Sequence, residues 1–98
     1  MFTGTLSLDL LLGDVRSLKQ KRSVVRPIVA ELQRKYSVAA AEVGHQDLYR
    51  RAALGVAVVS ANAGHCREVL AACEREVAAR PEIELLSVRQ RLYREEDE

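Results

Sequence analysis

Apolar and polar residues alternate along residues 2–12, FTGTLSLDLLL. Phe2, Leu6, Leu8 and Leu10 fall to one side, and Thr3, Thr5, Ser7 and Asp9 to the other. A period of two is that of a β-strand, so this segment predicts a strand with one buried face. Gly13 and Asp14 end it. The rhythm then changes: Leu18, Val25, Ile28, Val29, Leu32 and Tyr36 recur at helical spacing and make one apolar stripe. Ser17, with Gln20 three residues on, fits a capping box at the start of that helix. Pro27 lies inside it and has no N–H to donate to the Ser23 carbonyl. One kinked helix is expected rather than two short ones, because Leu18 and Val25 share the stripe with Leu32.

Residues 37–43 read as a short strand, 44–51 (GHQDLYRR) as a polar connection, and 52–60 as another strand with Leu54, Val56 and Val58 in phase. These two strands most simply form a hairpin. Asn62 can cap a second helix whose apolar face is Cys66, Val69, Leu70, Cys73 and Val77. Pro81 stops it, and 83–92 forms the last strand. The order βαββαβ, built as two right-handed crossover units on one antiparallel sheet, predicts an α+β ferredoxin-like sandwich. Strand order is then 4-1-3-2, with both helices on one face and the other face bare. Residues 1–93 are expected to form a single domain, and 94–98 a disordered acidic tail.

Composition narrows the class. Ninety-eight residues allow one modest core, and 48% apolar with 30% charged residues describes an ordinary globular chain. No secretion signal is visible, and no apolar run approaches the ~20 residues of a membrane span, so a cytoplasmic protein is expected. Cys66 and Cys73 are about 10 Å apart along a helix, too far to bridge, and read as buried hydrophobes. The net charge of +1 conceals an uneven distribution. Residues 16–35 hold seven cations against one acid, whereas 81–98 hold three against six.

The segments SLKQKRSVVR (17–26) and AEVGHQDLYRRAALGVAVVS (41–60) resemble the YlxP-like proteins, small bacterial domains of unknown function. The resemblance runs over about 3–92. It implies a ferredoxin-like fold, in agreement with the element order. It also implies a setting near the small ribosomal subunit, because genes of that family commonly sit among those for translation initiation factor two and ribosome-binding factor A. Tyr49 stands where relatives tend to carry tryptophan, and Pro27 is a second departure.

The candidate chemistry starts with the cations. Lys19, Arg22 and Arg26, at i, i+3 and i+7, make a stripe beside the apolar seam. With Arg16 and Lys21 in support, they could meet successive phosphates of a nucleic acid. Arg50 and Arg51 extend this patch only if their loop lies near the first helix. His45, Gln46 and Asp47 read as a structural loop rather than a catalytic group, since no nucleophile accompanies them. His65 and Cys66 lack the paired spacing of a zinc site, so neither metal nor cofactor is expected. The first loop, GDVRS (13–17), has one glycine and an acid beside its arginine, unlike the phosphate cradle of the acylphosphatases, which share this topology. On the bare sheet face the two central strands offer Thr, Ser, Gly and Ala, a poor platform for base stacking. Thr5, Ser7, Gly55, Ala57 and Val59 instead suggest the packing face of a homodimer. The expected function is non-enzymatic binding to ribosomal RNA or the small subunit through the basic helix flank. The alternative is a protein-interaction module that uses the bare face.

Overall fold

Six elements make up the computed structural model, which describes residues 1–96. They are β1 (Phe2–Leu12), α1 (Leu18–Tyr36), β2 (Ala39–Gly44), β3 (Arg51–Ser60), α2 (Ala63–Ala78) and β4 (Ile83–Arg94). The strands form one antiparallel sheet in the order β2-β3-β1-β4, which is the expected ferredoxin-like arrangement. Leu6, Leu8, Leu10 and Leu12 of β1 are buried, as are Leu54, Val56 and Val58 of β3. They meet Val25, Ile28 and Leu32 of α1 and Cys66, Leu70, Cys73 and Val77 of α2 in one core. Both thiols are free, and burial pushes that of Cys73 up to about 11.

The helix starts follow from their caps. The Ser17 hydroxyl accepts from the Gln20 N–H at 3.1 Å. The Gln20 side chain returns to the N–H of Arg16 rather than of Ser17, at 2.7 Å, so the box is one residue wide of the usual form. Asn62 Oδ1 accepts from the His65 N–H at 3.1 Å. One uninterrupted helix runs through Pro27. The far end of α1 is tied to α2 by Glu76, which accepts from Lys35 Nζ at 2.7 Å and from the Tyr36 hydroxyl at 3.0 Å. α2 sits close over β1 because residue 4 is glycine: a Cβ there would lie 2.8 Å from Leu70 Cδ1 and 3.3 Å from Cys66 Cβ.

Strand ends differ from expectation in ways that matter for the surfaces. β4 carries a bulge: Ser87 faces Asp9 and Leu85 faces Leu10, leaving Leu86 as the extra residue. The bulge lets Ile83 and Leu85 face inward on one side of it and Leu92 on the other, although their spacing is out of phase. A second bulge puts Val43 of β2 out of register against β3. β4 also continues two residues past 92, and the Glu95 N–H donates to the Met1 carbonyl at 2.9 Å. The first residues of the expected tail are therefore bonded to the fold, while residues 97–98 lie outside the described residues. No helix among the described residues is long and apolar enough to cross a membrane.

Candidate functional site

The basic segment separates into cations that face solvent and cations that do not. Lys19, Arg22 and Arg26 are exposed on α1 and line a shallow groove with Ser23 and Pro27. No carboxylate among the described residues comes within ion-pair distance of any of the three. Arg16 is also exposed, but Asp14 lies 3.1 Å from its Nε. Arg34 and Lys35, farther along the helix, are held by Glu31 and Glu76 at 2.6 and 2.7 Å.

Lys21 is not part of the basic surface. It is only 2% exposed. The reason is helical spacing: with Val25, Ile28 and Leu32 it forms an i, i+4, i+7, i+11 series that points into the sheet. Its ammonium lies 2.7 Å from Glu42 Oε2 of β2 and donates to the His45 carbonyl at 2.5 Å. A buried cation must be paired and hydrogen-bonded, and both partners come from the segment 41–60.

His45 is held in a left-handed backbone conformation, with φ 56°, at the turn that follows β2. Its ring is turned to the bare face, where Nε2 lies 3.5 Å from Asp9 Oδ1. Arg51 Nη2 donates to Asp9 Oδ2 at 2.5 Å and lies 3.5 Å from His45 Nε2. The Arg51 hydrogen bond holds the Asp9 carboxyl below its ordinary value, and Asp9 in turn raises Arg51. Arg51 is thus spent on Asp9 and does not extend the basic patch. Arg50 is tied to the end of β1, where its Nε donates to the carbonyls of Leu12 and Gly13 at 3.2 and 2.8 Å. Gln46 reaches only the Glu42 carbonyl, at 3.4 Å.

The face of the sheet away from the helices has two halves. Ala39, Ala41 and Val43 of β2 lie beside Gly55, Ala57 and Val59 of β3, and Val43 and Val59 are 62% and 63% exposed. Gly55 leaves room for Val43, whose Cγ1 would lie 3.0 Å from a Cβ at residue 55. Thr5 and Ser7 run along the middle. Beyond them, β4 presents Ser87, Arg89, Arg91 and Tyr93. Tyr93 was not foreseen here because the last apolar residue in the strand pattern is Leu92. Its period-two spacing from Arg89 and Arg91 is the signal that places it. His65 is exposed whereas Cys66 is fully buried, so the two diverge. The described residues hold no cluster of three metal-ligating side chains.

The family model described as "Protein of unknown function (DUF503)" matches residues 3–90. The chain belongs to that family. It is 33% identical over 76 residues to the uncharacterized protein YlxP of Bacillus subtilis (strain 168), an alignment that covers 78% of this chain and 83% of the relative. In this DUF503 member the two segments that carry the YlxP-like resemblance meet physically. Lys21, from the first, is bound by Glu42 and His45, from the second.

Proposed function

We propose that this domain is a non-enzymatic, cytoplasmic module that binds ribosomal RNA or the small ribosomal subunit, with Lys19, Arg22 and Arg26 of α1 on the phosphates. The observation that carries this reading is that the three are exposed, share one groove and have no carboxylate partner among the described residues. Seven residues of helix separate the first from the last, a rise of about 10 Å, so the line can follow a short run of backbone phosphates. Neighbouring like charges on one helix face oppose stability by a few tenths of a kcal/mol per pair. Elsewhere on α1 the exposed cations are matched by Glu31 and Glu76. Arg16 stands just before the helix and can add to the field. Lys21 has no place in this contact, and Arg51 none.

The experiment is affinity for a base-paired ribosomal RNA fragment, which offers the sheet face no free base, measured against salt. Each of Lys19, Arg22 and Arg26 changed to alanine should flatten the log–log slope by about one unit. A triple substitution that leaves the slope intact removes the reading.

A second reading rests on Val43 and Val59, two large apolar side chains more than half exposed on the same sheet face. That half of the face, floored by Ala39, Ala41, Gly55 and Ala57, suits a homodimer in which sheet packs on sheet.

A further inference from the structure

We infer that the other half of the bare face, along β1 and β4, is a binding site for single-stranded RNA, with phosphates on Arg89 and Arg91 and a base on the Tyr93 ring. Arg89 and Arg91 are two residues apart on one strand, so they leave the same face of the sheet about 7 Å from each other. Both are exposed, and neither has a carboxylate within ion-pair distance among the described residues. Directly opposite them in the register stand Ser7 and Thr5, whose hydroxyls can bond phosphate oxygens. Tyr93 follows two residues on, paired with Thr3 and 50% exposed.

Thr5, Ser7, Arg89, Arg91 and Tyr93 line one depression. It adjoins a second, lined by Ser7, Asp9, His45, Ser87 and Arg89 among others. Asp9, the one acid of β1 on this face, is already engaged by Arg51. Two adjacent guanidinium groups, flanked by hydroxyls and an aromatic ring, complement an unpaired strand, which offers both phosphates and free base faces. A duplex offers no free base face to Tyr93. The central strands lack aromatics, as expected; the ring comes from the edge strand instead.

This inference goes beyond the α1 reading and stands apart from it, because α1 packs on the opposite side of the sheet. Its test is fluorescence anisotropy of a labelled uridine-rich oligoribonucleotide of about eight residues, titrated with the full chain across a range of salt. The double variant Arg89→Ala/Arg91→Ala should weaken binding at least tenfold and flatten the salt slope by about 1.4, or 0.7 per lost phosphate contact. Tyr93→Leu should weaken it by about fivefold to a hundredfold, and Tyr93→Phe should retain it, as stacking requires. The triple alanine variant of Lys19, Arg22 and Arg26 should bind the oligomer like the wild type. Undiminished binding in the Arg89/Arg91 variant overturns the proposal. So does loss of binding in the α1 variant alone, which moves the strand to the helix. A wild-type dimer in sedimentation equilibrium that Arg89→Glu dissociates, with no oligomer bound by either form, assigns the face to a second copy and overturns it too.

Discussion

Lys21 is the residue where charge and position disagree. A lysine in a run of cations reads as surface, yet its i, i+4, i+7 and i+11 partners are all core residues. The spacing was available in the sequence. The partner was not, since Glu42 lies in a strand twenty-one residues on and no local rule joins the two. Burial of the pair makes a sharp expectation. Lys21→Met keeps the aliphatic stem but strands the Glu42 carboxylate and the His45 carbonyl. Loss of one partner of a buried ion pair costs about 3–5 kcal/mol, and Glu42, with 23% of its side chain exposed, places the cost at the lower end. Urea denaturation should show that loss, and Lys21→Met/Glu42→Leu should recover part of it. RNA salt slopes should not change. A variant as stable as the wild type would mean that the pair holds nothing together.

At the level of elements, most of the sandwich was legible. Period two marked β1 and β3, period 3.6 marked both helices, and Ser17 and Asn62 marked their starts. What escaped were the two bulges. Ile83 and Leu85 fall out of phase with Leu92, and only an extra residue in β4 reconciles them; the hydrophobic pattern carries that mismatch but does not say where the residue is inserted. The cross-strand contact of Asp9 in β1 with Arg51 in β3 depends on register in the same way. It carries a pH signature. Arg51 lowers the folded-state value of Asp9 below its ordinary 3.8. The stabilisation is therefore complete above about pH 5 and is lost as pH falls through 3.8 to the lower folded value. Asp9→Asn should melt below the wild type at pH 7, and the difference should shrink towards pH 3. A gap that is constant or widens in acid contradicts this pairing.

The whole molecule presents different chemistry on its two sides: unmatched cations on α1, and a sheet face that is apolar along β2 and β3 and cationic along β4. Composition disclosed the imbalance of charge but not its geometry, because three of the seven cations in 16–35 are neutralised by acids from other turns or strands, and Arg16 faces Asp14. If the apolar half of the sheet joins two copies, Ala57→Glu should place two carboxylates at the contact and convert a dimer to monomer by light scattering. The α1 surface would still bind RNA. A monomeric wild type ends the dimer reading.

The central claim is that the unpaired line Lys19–Arg22–Arg26 meets a nucleic-acid backbone, and co-sedimentation with small ribosomal subunits tests it most directly. The wild-type protein should travel with the subunits at low salt and leave them at high salt, whereas far less of the triple alanine variant should travel with them at low salt. Equal co-sedimentation of the two proteins at low salt would contradict the account.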